Sequence, residues 1–442
     1  MDDFSLPFKS DLPQTKDSIS SSNMPSSYLP IRTRGKNIFD EDVVIGYVLS
    51  GLLRKKIVNY SFDKFRIDCM SNFKRKIDNS EFLPLLDEMY FNNDEFFKIS
   101  PELLLLKGQK SNDGGNKRHA SLFLNLMQGL QIESFNTNIN FLESEIIEVL
   151  RLKMEPAKKD DFQLGISSYL PFLSDTFRKD IKFLSKSPKY LLDQIKPFLR
   201  MYAFLYTSQL ALSVSDWKKG ESPLTKPLYF IMDHERASHE RFHVMNHGFR
   251  LFNRNCYKLF PYLTVLEMLQ SDEKLPLWKL ASRFKENKNE TSCSRLEQFA
   301  RAFKSKRNLQ VKLYESNDLL VWLEQLLKLS IAQFEDKSTN RPKINSDYVK
   351  DVEKFLASDF VINRRRAGKI LVLNQDYVLL LTNIAIGERH KLRFQELIAE
   401  FRKRGVYLDK QTEIELIKFF ERIGNVEKMS DSGDAVYVRK TI

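Results

Sequence analysis

His239-Glu240-Arg241-Phe242-His243 spells HERFH, and its spacing is that of a zinc hydrolase. On a helix, histidines at i and i+4 point at one metal, and the glutamate between them can act as general base for the bound water. His247 lies one turn further along, and Glu267 in VLEMLQ offers a third ligand. Opposing features are local. Arg241 sits between Glu240 and His243, where such helices keep uncharged residues. Asp233, Glu235, Arg236 and Arg250 give the segment the pattern of a solvated, ion-pairing helix capped by Asp233 or Ser238. Glu267, beside Leu263, Leu266 and Leu269, reads as a surface carboxylate. A zinc-dependent hydrolase built on His239, Glu240 and His243 is therefore the alternative reading, not the leading one. There is no GxSxG, no phosphate loop, no GxGxxG and no paired-cysteine site, so the residues call for no catalytic centre and no cofactor.

A second set of residues suits phosphate contact or protein docking. Arg364, Arg365 and Arg366 form one basic cluster, and Arg402, Lys403 and Arg404 another. Lys410, Lys418 and Arg422 follow on the next helical stretch, and Arg439 and Lys440 close the chain. Glu413, Glu415 and Glu421 offset the middle group, and carboxylates beside phosphate repel. Protein docking thus competes with DNA contact.

The elements that would position these residues are mainly helical. From Asp40 to about Phe334, apolar residues recur at helical spacing: Val43, Val44, Tyr47, Val48 and Leu52 on one stripe, Phe62, Phe65, Ile67 and Phe73 on the next. Tyr190 to Trp217 is apolar nearly all round after Pro197, which predicts a helix at the centre of the body. Two stretches read as loops, Gly108 to His119 and Asp216 to Pro227, and LYFIMD after the second reads as a short strand. The expected organisation is a disordered tail over 1–27, a helical body over 28–335, a linker over 336–346 and a C-terminal domain over 347–442.

The last fifty residues have the order of a winged helix-turn-helix. RFQELIAEFRKR forms a helix ended by Gly405, and Asp409 caps KQTEIELIKFFERIG, with Ile414, Leu416, Ile417 and Phe420 expected inward. VEKM and AVYVRK, separated by Ser430 to Asp434, form a small β-hairpin wing. The fold class expected is mainly α, a helical body with a C-terminal winged helix-turn-helix-like module.

Lys and Arg outnumber Asp and Glu by 70 to 58, a net charge of +12 compatible with a polyanionic partner. The mean hydropathy of −0.39 and 29% charged residues describe a water-facing protein. Cys69, Cys256 and Cys293 have no pairing pattern and are expected as free thiols of a cytoplasmic protein. The opening MDDFSLPFKSD lacks the basic and apolar regions of a signal peptide, and no membrane role is expected.

Several blocks together, SYLPIRTRG, YLLDQIKPFLRMYAFLYTSQLAL, KPLYFIMDHERAS, LFPYLTVLEMLQ and KMSDSGDAVYVRK, resemble the DptG (DndG) family of DNA phosphorothioation-dependent restriction proteins. The resemblance runs from about residue 27 to the C-terminus. It implies a non-catalytic subunit of a bacterial antiviral defence complex. The partners it implies are a DptF-like ATPase and a DptH-like ATPase or helicase, with DNA engaged by the complex. None of the blocks is a catalytic motif, and no site residue comes with the resemblance.

Overall fold

The computed structural model describes residues 12–23, 26–32, 37, 39–79, 81–92, 94–109, 114–158, 166–238, 240–271, 273–286, 290–429 and 435–442. It is mainly helical. Asp40 accepts hydrogen bonds from the Asp42 and Val43 N–H groups and so caps α1 (Glu41–Leu53), whose Val43, Val44, Val48 and Leu52 are buried as their spacing predicts. Gly46 lets a 3-10 helical stretch, Pro101–Gln109, cross α1 at close range. A Cβ there would stand 2.5 Å from the Gly108 backbone. After α1, the two-residue β1 (Lys55–Lys56) leads to α2 (Phe62–Lys76) and α3 (Phe82–Phe91). Phe65 and Phe73 face the core, whereas Ile67, expected on that stripe, is 62% exposed.

The stretch expected as a loop before His119 is helical from Gly114. It forms α4 (Gly114–Leu126), which stacks the His119 ring on Phe39, centroids 4.4 Å apart, and edge-on to Phe123. Next come α5 (Phe141–Arg151) and β2 (Glu155–Pro156), the latter antiparallel to β1. α6 (Pro171–Ser185) and α7 (Pro188–Ser213) follow, with α7 running through the centre as expected. Met201 through Ala211 are all buried.

After β3 (Tyr229–Met232) the chain forms α8 (Phe242–His247), α9 (Phe249–Leu269), α10 (Leu277–Glu286), α11 (Glu290–Arg307), α12 (Leu319–Glu335) and α13 (Arg341–Leu356). The expected linker is largely the first turn of α13. That helix buries Tyr348 and Val352 in the same core as α9 and α12, and Asn345 donates to the Tyr257 carbonyl at 2.9 Å. Residues before and after 340 therefore share one hydrophobic core. The expected tail is likewise seated from Leu12 onward. Leu12 and Ile19 are each 3% exposed, and Arg307 donates to the carbonyls of Ser20, Ser21 and Ser22. Burying these apolar side chains offsets the ordering cost that a polar composition suggested would prevail.

The C-terminal third contains β4 (Val361–Asn363), β5 (Lys369–Leu373), α14 (Gln375–Ile386), β6 (Lys391–Arg393), α15 (Phe394–Lys403), β7 (Tyr407–Leu408), α16 (Lys410–Arg422), β8 (Val426–Met429) and β9 (Ala435–Arg439). One sheet has the order β4-β5-β3-β7, with β3 parallel to both neighbours, Ile231 opposite Val372 and Tyr229 opposite Tyr407. Its strands are apolar on both faces, as buried parallel strands are. Phe230 and Met232 face the main core. Ile231 and Val372 face a small cluster with Val244 and Met245 of α8. The second sheet is antiparallel, order β6-β9-β8. Among the described residues no helix is long and apolar enough to cross a membrane, and all three cysteines are buried free thiols.

Candidate functional site

HERFH straddles the start of a helix rather than lying within one. α8 begins at Phe242, Glu240 is exposed in the preceding turn, and His239 lies outside the described residues. Glu240 and Arg241 precede the helix, so of the motif only Phe242 and His243 are helical. His243 is exposed and stacks on Tyr229, ring centroids 4.8 Å apart at 14°, and lies 5.6 Å from the His247 ring. Glu267 is not a surface carboxylate. It accepts from the Ser27 N–H and hydroxyl at 2.9 and 3.1 Å and pairs with Lys274 at 2.9 Å. Among the described residues, no three His, Cys, Asp or Glu side chains are grouped to hold a metal ion.

Arg241, expected on a solvated face, is the buried centre of the segment, its side chain 5% exposed. Its guanidinium donates to Glu235 at 2.9 Å, to both oxygens of Asp409 at 2.8 and 2.5 Å, and to the Thr412 hydroxyl at 2.5 Å. Asp409 also caps α16 by accepting from the Thr412 N–H at 3.0 Å. Burial alone would push the Asp409 carboxyl up, but the hydrogen bonds from Arg241 and Thr412 hold it below the usual carboxylate range. The first turn of α16 is thus closed by a strap from the histidine segment: the Asp409 carboxylate occupies the helix N-terminus, and Arg241 neutralises that carboxylate.

The other basic candidates divide by what they touch. Arg404, expected on a basic surface, is fully buried. Its Nε and Nη2 donate to Asp180 of α6 at 2.8 and 2.5 Å, Nη1 donates to the Glu400 carbonyl at 2.8 Å, and Tyr202 of α7 donates to Asp180 at 2.5 Å. Arg404 belongs to the junction between α15 and the body and is removed from any contact surface. Arg402 and Lys410 converge on Glu413 at 3.2 and 2.7 Å, Lys403 pairs with Glu400 at 2.9 Å, and Lys418 with Glu415 at 2.8 Å. Arg422 lies over the Phe419 ring. Arg439 pairs with Glu427 at 3.3 Å, and Lys440 donates to the Gly387 carbonyl at 3.1 Å. Away from these, Arg364 donates to the Asp233 carbonyl. Arg365 takes a left-handed φ of 46° in the turn between β4 and β5, where Arg366 also lies.

Of the inward stripe expected on α16, Leu416 and Phe420 are buried and Ile417 is half-buried, while Ile414 is not inward. Thr412, Glu413, Leu416, Phe419 and Phe420 are buried, whereas Ile414 is 55% exposed. Glu413 goes inward because Arg402 and Lys410 meet it there, and Thr412 because Arg241 does. Gly405, which ends α15 with φ +86°, lies against Gln209 of α7, so a side chain there would be both strained and obstructed. Sequence reasoning missed Asp180 and Tyr202, and placed Glu235, which pairs with Arg241, on a solvated face although it is buried. Nothing in FRKDIK marks Asp180 as the buried member, although a carboxylate one turn from Phe177 and Leu184 on an apolar stripe was a usable sign. No family model matches the chain, and no curated protein matches it.

Proposed function

We propose that the chain is a non-catalytic subunit of a bacterial phosphorothioation-dependent DNA restriction complex, and that its C-terminal region is a docking module for DptF-like and DptH-like ATPase partners. The family resemblance of the sequence blocks motivates the complex. The order α14, β6, α15, α16, β8, β9, with the sheet β6-β9-β8, supports reading the module as a winged helix. Folds of this kind serve both DNA and protein partners, so the surface decides.

The observation that carries docking is the outer face of α16. Ile414 is 55% exposed there, and the flanking Lys410 and Lys418 are each paired with a carboxylate of the same helix. A helix face with an apolar centre and internally balanced charge gains more from a protein surface than from phosphate. The test is co-purification of the full chain from native extract, with wild type beside Ile414→Asp. The wild type should bring down the ATPase partners, and the variant should lose them while its unfolding midpoint stays put. Failure of the wild type to recover any ATPase overturns the restriction-complex reading. Unchanged recovery with Ile414→Asp overturns the assignment of α16 as the docking face.

A further inference from the structure

A second basic surface lies on α6, away from the winged-helix-like module. In FRKDIKFLSKSPK the cations Arg178, Lys182 and Lys186 recur at every fourth residue, with Lys179 beside them. Helical rise puts successive members about 6 Å apart along the axis, close to the step between neighbouring phosphates of a nucleic-acid strand. Of the two carboxylates of α6, Asp180 is turned inward to Arg404, leaving Asp175 as the exposed one.

Arg178, Lys179 and Lys182 line a shallow cleft of about 600 Å³, whose other wall is the Gln128–Leu130 turn. No carboxylate lines it. Gly129 in that wall has φ +84° and open space where a Cβ would be, so a strand of another molecule can approach the backbone closely. Arg178 is held across the cleft mouth by Asp175 and by the Gln128 carbonyl at 3.3 Å. Lys179 is within electrostatic reach of Glu400, Lys186 pairs with Glu388 at 2.8 Å, and Lys182 has no ion pair among the described residues. A further cleft, of about 550 Å³ at the start of α1, differs in kind. Its Lys196 and Arg200 are already committed to Asp42, Glu41 and Asp359.

We propose that the α6 cleft binds the phosphodiester backbone of nucleic acid, with Lys179 and Lys182 as phosphate contacts and Arg178 positioned by the Gln128 turn. This gives the subunit its own DNA-contacting surface on the body, separate from the α16 docking face. The proposal deepens the DNA part of the function above and stands on the cleft alone, so loss of ATPase co-purification and loss of DNA binding are separate results.

The test is fluorescence-anisotropy titration of plain duplex DNA with the full chain across a salt series. Variants are Lys179→Gln/Lys182→Gln, the matched pair Lys410→Gln/Lys418→Gln on α16, and Lys182→Arg. Each phosphate contact contributes about 0.9 to the slope of log affinity against log salt, so the α6 pair should lower the slope by about 2 and weaken binding roughly 50-fold near 0.1 M salt. The α16 pair should leave both unchanged, and Lys182→Arg should keep wild-type binding. The proposal is overturned if the α6 pair binds like wild type, if only the α16 pair weakens binding, or if wild type ignores duplex DNA. It is also overturned if wild type binds phosphatidylserine vesicles through the same lysines in preference to DNA.

Discussion

Separating Arg404 from Asp180 is the sharpest test of how the C-terminal helices are held. Both side chains are fully buried and joined by two hydrogen bonds, with Tyr202 on the far side of the carboxylate and the Glu400 and Ile384 carbonyls on the guanidinium. Removing Arg404 leaves the Asp180 charge buried without its hydrogen-bonded cation, and removing Asp180 leaves the guanidinium with the Glu400 carboxylate alone at 3.2 Å; breaking such a buried pair costs about 3–5 kcal/mol. Replacing both by apolar residues removes the desolvation cost together with the attraction, and such swaps are often near neutral. Asp180→Leu and Arg404→Met should each lower unfolding stability by about 3–5 kcal/mol, and the double variant should be more stable than either single one. Urea titrations followed by the fluorescence of Trp217, Trp278 and Trp322 measure this. The pH dependence gives a second readout. Burial pushes the Asp180 carboxyl up, and Arg404→Met removes the larger of the two cations that oppose that push, leaving only Lys179. A folded carboxyl raised above its unfolded value of about 3.9 stabilises below that value and loses the contribution as pH rises through the raised one. The deficit of Arg404→Met should therefore be larger at pH 8 than at pH 5. Single variants costing under about 1 kcal/mol, or a deficit flat with pH, would refute the reasoning.

Arg241→Met should cost about 3–5 kcal/mol in the same titration, because Glu235 and Asp409 lose their shared counter-ion in a buried setting. Asp409, held low in the folded chain, contributes stability above the unfolded carboxylate value that is lost as pH falls through its depressed one, so the variant should show a shallower acid limb than wild type. Burial also lowers the His119 imidazole to about 4. The unfolded chain protonates first, near 6.5, so stability is whole above that value and falls by about 3 kcal/mol between 6.5 and 4. His119→Phe, which keeps the ring contacts with Phe39 and Phe123, should remove that part of the pH profile in thermal melts at pH 7 and 4.5. Gly46→Ala places a methyl 2.5 Å from the Gly108 backbone and should cost about 1–3 kcal/mol in urea titration.

Much of the helical frame was legible because its causes are local. Asp40, Asp409 and Gly405 mark helix ends through caps and a left-handed turn within four residues of the helix they bound. The apolar run of α7 announced a central helix. What stayed hidden depends on distant partners. LYFIMD read as a strand, but its neighbours β5 and β7 lie some 140 and 178 residues further on, so its sheet order could not be read from spacing. Arg404 in RKR looks like surface charge, and only Asp180, 224 residues earlier, makes it interior. Arg241 weakened the zinc reading as a misplaced charge. Its actual role, closing α16 from 168 residues away, needed Asp409 in view. The candidate surface shifted for the same reason, since Lys410 and Lys418 of α16 are each paired with a glutamate one turn away, whereas Lys182 of α6 has no ion pair among the described residues.

Among the contacts that hold the C-terminal helices to the body are three stitches: β3 beside β7, Arg241 on Asp409, and Arg404 on Asp180. Each joins residues before 242 to residues after 403, and two of them bury charge. A truncation near residue 390 would therefore do more than delete a module. It would open one edge of β3 and strand the Glu235–Arg241 pair without Asp409 and Thr412. It would also leave Asp180 buried beside Tyr202 without the guanidinium bonded to it, at about 3–5 kcal/mol for that break alone. Loss of DNA or partner binding after truncation would then report unfolding of the body as much as loss of a contact face. Substitutions at exposed positions such as Ile414 and Lys182 leave all three stitches intact, which is why they, and not deletion, can separate the docking face of α16 from the phosphate cleft of α6.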